Sequence, residues 1–469
     1  MSIPRVLLIA SDTIGLSMAG SGIRAWNLAR VIGAQQPVTL ATINNVRLEP
    51  PPGVTLHSYA APDESARGQM LSDLIAAHDV VIAQHIPYMY TDPEVLNNRF
   101  LIVDLYAPWI LEKLEYARID AEIGEPNRKD DVAILNRLLS LGDAFICAAE
   151  RQRDFWLGAL AAANRLDTKQ ARVDPSLRNL IDVVPFGLPS EPPMCSGPGP
   201  REQFAAMGKD ARLILWNGGL WNWLDPFTAI EAMALVVERE PRARLIFMGV
   251  RSPSDVVAHM RVVDDARALA KRLDLLDRVV FFNDWVPYDS RQNWLLEADL
   301  GLSLHQPSLE ARFAYRTRML DNLWCNLPVV ATEGDVLADL IEHEQIGRTA
   351  PPGDARAVAD AVVRALDAGN QTAYRKNLKR IAPEQHWEAV ARPLLRWCAQ
   401  PVKSGSAQGT DPRDEYVHRL ERIYSETADY ARHLEQAIAE KDHQLAEQQL
   451  TLRNLTGAAR RKLRHFLPS

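Results

Sequence analysis

A chain of 469 residues exceeds what one hydrophobic core commonly supports, so two domains are expected, with room for an appendage. With 47% hydrophobic and 24% charged residues it reads as an ordinary globular protein, and a net charge of −7 argues against nucleic-acid binding, which calls for a basic face. Cys147, Cys195, Cys325 and Cys398 lie far apart without a Cys-x-x-Cys pair, so neither a disulfide framework nor a zinc site is expected. The N-terminal apolar run is too short for a signal peptide and no stretch is long enough to span a membrane, so a cytoplasmic protein is expected.

Arg5-Val-Leu-Leu-Ile-Ala has the form of a strand buried on both faces. A loop from Gly15 to Gly22 and a helical pattern from Ile23 to Ile32 follow. Strand, glycine-rich loop and helix make a place where backbone N–H groups can hold an anion, through Gly20, Gly22 and Arg24; the same residues also suit a simple turn. The spacing is not Gly-x-Gly-x-x-Gly, so a dinucleotide fingerprint is not supported. Val38–Thr42, Val80–Ala83, Leu101–Asp104 and Ala144–Ala148 continue the strands, with helical patterns between most of them, which implies a parallel sheet covered on both faces. Each strand end is then a candidate ligand position. His85 follows one, Asp104 and Tyr106 leave another together, and Glu150-Arg-Gln follows a third.

Residues 189–200 are crowded with proline and glycine and read as an interdomain linker after a first domain of residues 1–188. The second domain, residues 201–398, restarts the alternation with Arg212-Leu-Ile-Leu-Trp-Asn, the Gly218-Gly219 loop and a helix over Phe227–Glu238. Arg244-Leu-Ile-Phe-Met-Gly, a helix near Val256–Leu273, Val279-Val-Phe-Phe, Trp285-Val286-Pro287 and Leu300-Gly-Leu-Ser-Leu follow. His305 ends that last run. Glu310, Arg312, Arg316, Arg318 and Asp321 then crowd together before Leu327-Pro-Val-Val-Ala-Thr and an acidic glycine turn, and a helix over Asp354–Asp367 closes the pattern. Two such α/β units imply a cleft with ligand contacts from both sets of strand ends.

Residues 399–412 read as a flexible linker. From Val417 to Leu455 apolar residues recur at alternating spacings of three and four, interrupted by Lys441 and Gln448, the pattern of a coiled coil. Residues 413–456 are therefore expected to pair with a second copy or a partner protein, or to fold back on the chain. The tail beyond Gly457, with Arg460, Arg461, Lys462 and Arg464 beside Phe466 and Leu467, could touch an anionic membrane surface or stay solvated.

The Gly218-Gly219 loop, Arg244-Leu-Ile-Phe-Met-Gly, Val279-Val-Phe-Phe with Trp285-Val-Pro, and the acidic stretch ending Leu327-Pro-Val-Val-Ala-Thr resemble, in that order, a divergent branch of the GT-B glycosyltransferases of retaining family 4, also called group 1. The resemblance covers residues 1 to about 398. It implies two Rossmann-like domains, α/β in class, that transfer a hexose from a nucleotide-sugar to a polysaccharide, glycolipid or glycan acceptor, with retention and without metal or other cofactor. Asp321 sits where the family has the second of two glutamates, while Glu310 stands further from it than the family spacing; Asn326 replaces a glycine. The family lysine after the glycine loop is absent, its place taken by Trp223-Leu-Asp225-Pro.

On that resemblance Arg316 and Arg318 are expected to hold the leaving diphosphate in place of the lysine, assisted by Gly20, Gly22 and Arg24 across the cleft, because arginine and helix N-termini present fixed donors to phosphate. Asp321 would accept from ribose hydroxyls, Glu310 would face the donor sugar, and Trp285 and Val286 would contact the base. Asp104, Tyr106 and His85 would orient the acceptor. A nucleotide-sugar epimerase or a non-catalytic GT-B scaffold are the alternatives these residues leave open.

Overall fold

A computed structural model of the chain describes residues 3–403 except 16–17, 45, 47, 62, 85–92, 120, 222 and 252–260, together with residues 430, 434 and 441. The chain divides into two compact units, Met1–Ile86 with Tyr90–Gln408, and Pro87–Met89 with Gly409–Ser469. Apart from Leu434 and Lys441, which are helical and exposed, the heptad positions and the basic tail lie outside the described residues.

The first unit contains two parallel sheets. One has the strands β1 (Val6–Ile9), β2 (Val38–Thr42), β3 (Val54–Ser58), β4 (Val80–Ala83), β5 (Phe100–Asp104), β6 (Ala144–Cys147) and β7 (Ile181–Val183), in the order β3-β2-β1-β4-β5-β6-β7. The other has β8 (Arg212–Trp216), β9 (Ala243–Phe247), β10 (Val280–Phe282), β11 (Leu300–Ser303), β12 (Val329–Thr332) and β13 (Gly347–Ala350), in the order β10-β9-β8-β11-β12-β13. In each sheet the order reverses beside the first strand, at β1/β4 and at β8/β11, and such switch points open a crevice at the strands' carboxyl ends. Every residue of β1, β4, β6, β11 and β12 is buried, as expected for strands covered by helices on both faces.

Several helix starts are set by side-chain caps. Asp225 accepts from the Thr228 N–H at 3.0 Å and its hydroxyl at 2.6 Å, opening the helix Pro226–Arg239 with proline in its first turn. This buried aspartate follows the loop that carries Trp221 and Trp223. Gly301 in β11 lets Asn322 approach: a Cβ there would stand 2.6 Å from Asn322 Nδ2. Asn326 holds φ at +54°, a left-handed conformation open to asparagine as to glycine.

Two segments tie the halves together. The proline-rich stretch lies along the second sheet's helices, where Ser196 N–H donates to Asn293 Oδ1 at 2.8 Å and Trp324 Nε1 donates to the Glu191 carbonyl at 2.8 Å. The last helices return to the first sheet. Trp387 meets Phe186 with ring centroids 4.7 Å apart, Arg30 pairs with Glu388 at 2.9 Å, and Gln36 Nε2 donates to the Cys398 carbonyl. Gly187 allows this approach, since a Cβ there would lie 2.7 Å from the Trp387 Cα.

Candidate active site

At the carboxyl end of the first sheet, the helix Gly20–Gly33 begins after β1 with no side chain capping its first turn, so its leading N–H groups are available to an acceptor. Gly22 is required by packing, because a Cβ would stand 2.7 Å from the Thr13 carbonyl oxygen; one on Gly20 would meet only the Tyr106 hydroxyl at 3.5 Å. Ser21 Oγ donates to Asp12 Oδ2 at 2.9 Å.

Arg24 departs from its expected role. It is buried, donates Nε and Nη2 to Asp104 at 2.7 and 3.0 Å, and donates to the Val184 and Pro185 carbonyls at 2.8 and 3.0 Å. The guanidinium is a strut across the strand ends, with its donors turned to Asp104 and to two carbonyls. Asp104 is neutralised by the same pair and also accepts from the Tyr106 N–H at 3.1 Å, so it too is structural. Burial pushes the Tyr106 hydroxyl up to about 12, which keeps it a neutral donor at ordinary pH. His85 lies outside the described residues.

At the carboxyl end of the second sheet three glycines form a floor. Gly218, at φ +107°, and Gly219 follow β8; Gly249 follows β9, and the Trp285 ring would stand 3.4 Å from a Cβ on it. Trp285 is 44% exposed, while Val286 is buried in the core and anchors the loop that displays it. Trp221 and Trp223 stack beside this floor, with centroids 5.4 Å apart.

Arg318 reaches over the floor. Its Nη1 donates to the Gly219 carbonyl at 2.9 Å and would lie 3.5 Å from a Cβ on Gly218, while Asn217 Nδ2 donates to the Arg318 carbonyl and fixes the start of the helix Arg318–Trp324. Among the described residues no carboxylate stands within ion-pair distance of it. Burial, aided by the Arg316 charge and opposed by that of Glu310, lowers its pKa to about 10, so it is a cation at neutral pH.

Arg316, two residues earlier, does not share this position. Its Nη1 and Nη2 donate to Glu310 at 3.0 and 2.8 Å, and its Nε stands 3.9 Å from Asp335 Oδ2. The pair is buried, so neither Arg316 nor Glu310 presents the free group expected for diphosphate or sugar. Around them gathers a cluster the sequence did not single out. Asp335 caps the helix Val336–Glu344 through the Ala338 N–H, and His305 Nε2 lies 3.6 Å from its carboxylate. Burial lowers the His305 pKa and raises that of Asp335. Glu112, from the first half, is raised by burial and by the Glu310 charge, which marks it as facing the same cluster. The only sequence signals were the histidine at the end of β11 and the acidic turn after β12.

Asp321 accepts from Arg291 Nε at 2.9 Å, and Arg291 in turn lies over the Tyr288 ring at 3.6 Å and the Trp324 ring at 4.9 Å. Burial raises the Asp321 carboxyl against the pull of Arg291. The acid therefore sits in the wall below the Trp285 loop. Among the described residues no three His, Cys, Asp or Glu side chains cluster as metal ligands, and no helix is long and apolar enough to cross a membrane.

Residues 211–368, which hold the glycine floor and Arg318, match the family model described as glycosyl transferases group 1. No curated protein matches the chain. Among solved structures, HepE of Anabaena in complex with UDP-glucose is 14% identical, with a TM-score of 0.56 over 85% of this chain and 100% of that one. Sucrose-phosphate synthase of Thermosynechococcus elongatus is 17% identical, with a TM-score of 0.58 over 85% and 99%. WaaG, a glycosyltransferase involved in lipopolysaccharide biosynthesis, is 15% identical, with a TM-score of 0.56 over 85% and 100%. At these identities the likeness establishes the fold.

Proposed function

From a GT-B chain that carries a group 1 glycosyl transferase domain in residues 211–368, we propose a glycosyltransferase that moves a hexose from a nucleoside diphosphate-sugar to a polysaccharide, glycolipid or glycan acceptor, with retention and without a metal. The observation that carries the reading is the Arg318 guanidinium held over the Gly218–Gly219 floor. Cleaving the sugar–phosphate bond builds negative charge on the diphosphate, and a fixed, poorly solvated cation stabilises that charge more than it stabilises the ground state. The HepE structure holds UDP-glucose, which supports a uridine donor among those to be tried first.

The remaining residues fit around that centre. Trp285 offers an exposed ring for the base, and Asp321 offers an acceptor for the ribose. The uncapped helix at Gly20–Gly22 supplies N–H donors from the other half. The acceptor hydroxyl attacks the face the phosphate leaves, and the departing phosphate takes its proton, so the neutral Tyr106 needs only to orient the acceptor. We place the protein in the cytoplasm, with the chain beyond residue 412 serving oligomerisation or membrane-surface contact.

A panel of UDP-, GDP- and dTDP-sugars tests this. Binding of one of them, with nucleoside diphosphate released only when an acceptor is present, is the expected result. Conversion of the sugar without acceptor would favour an epimerase. Absence of both binding and turnover would favour the scaffold, a reading that draws on how many of the expected groups are consumed in internal pairs.

A further inference from the structure

Two side chains of the first half hold the charged segment of the second. The helix Glu150–Ala162 starts just beyond β6, which places its first turn at the carboxyl edge of the first sheet. There Gln152 is fully buried. Its Oε1 accepts from the Ala148 N–H at 2.8 Å, which fixes the side chain, and its Nε2 donates to the Phe313 carbonyl at 2.8 Å. Its neighbour Arg151 donates Nη1 to the Arg312 carbonyl at 2.9 Å and to the Gly334 carbonyl at 2.6 Å, and pairs through Nη2 with Asp339. The Phe155 and Phe313 rings meet beside them, with centroids 5.0 Å apart.

The acceptors are significant. Arg312 and Phe313 end the short helix Leu309–Phe313, whose last carbonyls have no partner within the helix. They are satisfied from the other half of the molecule. Phe313 lies three residues before Arg316, and Gly334 immediately precedes Asp335, so Arg151 ties together both chain segments that build the Glu310–Arg316–Asp335 cluster, and Gln152 holds the first of them.

We infer that Arg151 and Gln152 are positioning residues that fix the 309–318 segment against the first half, so that the donor site of the second half is held in register with the strand ends of the first, while Arg318 itself is kept on the Gly218–Gly219 floor by Asn217 and Gly219. The inference rests on the donor-site reading above. It makes the catalytic geometry depend on carbonyl hydrogen bonds set beside the Phe155–Phe313 ring contact. Neither residue touches the floor itself, so their loss acts through the segment they hold.

The test compares the full chain with Arg151→Ala, Gln152→Ala, Arg151→Lys and Asp339→Asn. UDP is the binding probe, sugar transfer is the rate, and hydrogen exchange reads residues 309–324. Arg151→Ala and Gln152→Ala lower kcat by about tenfold or more, in line with misplaced catalytic groups. They leave the UDP dissociation constant within about threefold, because those contacts belong to the second sheet. Both speed exchange across 309–324, and Arg151→Lys recovers part of each effect. Asp339→Asn stays near wild type, since the exposed ion pair contributes little. Unchanged exchange and unchanged kcat in both alanine variants overturn the inference, as does a kcat loss matched by an equal loss of UDP affinity. If the wild type neither binds nor turns over any nucleotide-sugar, the functional reading fails, and the exchange measurement still decides the positioning role.

Discussion

Both oxygens of Glu310 accept from the Arg316 guanidinium, at 3.0 and 2.8 Å, inside the protein. A buried pair of this kind is costly to break from one side, because the survivor is left charged and unsolvated. Arg316→Ala is therefore expected to destabilise the fold by about 3–5 kcal/mol. Glu310→Ala should do the same, and the double variant should lose less than the sum of the two. Denaturant midpoints at constant slope measure this. Losses below about 1 kcal/mol would mean that the pair is solvated.

The two floor glycines separate stability from binding. Gly218 has φ +107°, so Gly218→Ala strains the backbone and is expected to cost about 1–3 kcal/mol. Gly219 has an ordinary φ, and a Cβ there meets the Trp221 ring nitrogen at 3.6 Å, a normal contact. Gly219→Ala should leave the melting temperature near wild type and weaken nucleotide-sugar binding by raising the floor. Calorimetric melting and titration of both variants would check the contrast.

Alkaline pH should unfold the protein early. Burial pushes the thiols of Cys147, Cys325 and Cys398 from 9.0 up to about 12, and the Tyr106 hydroxyl from 10.0 up to about 12. Above pH 9 the unfolded chain releases the thiol protons, and above pH 10 the tyrosine proton, while the folded chain keeps them. Stability is thus fully present below pH 9 and falls as pH rises toward 12, by about 1.4 kcal/mol per pH unit for each group. Denaturation at pH 8, 9 and 10 measures the slope, and Cys398→Val should flatten it.

The strands that place the site could be read from the chain because β1, β4, β11 and β12 are buried on both faces and so appear as unbroken apolar runs. Two of the four edge strands are harder to read. β3, Val-Thr-Leu-His-Ser, has exposed and half-buried positions, and β13, Gly-Arg-Thr-Ala, is mostly polar, so neither carries an apolar run. The site divides in the same way. The sequence placed Arg316 and Arg318 together, two residues apart, and had no means to separate them. The difference comes from Asp335 and Asn217, which reach them from the ends of β12 and β8 and hold one guanidinium against carboxylates and the other over glycine. Arg24 is paired in a way the sequence does not display: its partner Asp104 lies at the end of β5, and only the fold brings them to 2.7 Å.

Calorimetric titration of wild type and Arg318→Ala with the nucleoside diphosphate-sugar found in the panel tests the central claim most directly. A cation fixed over the floor predicts that Arg318→Ala melts near the wild-type temperature and binds the donor at least about tenfold more weakly, the loss of one charge-assisted contact. Wild-type donor affinity in Arg318→Ala would contradict the account.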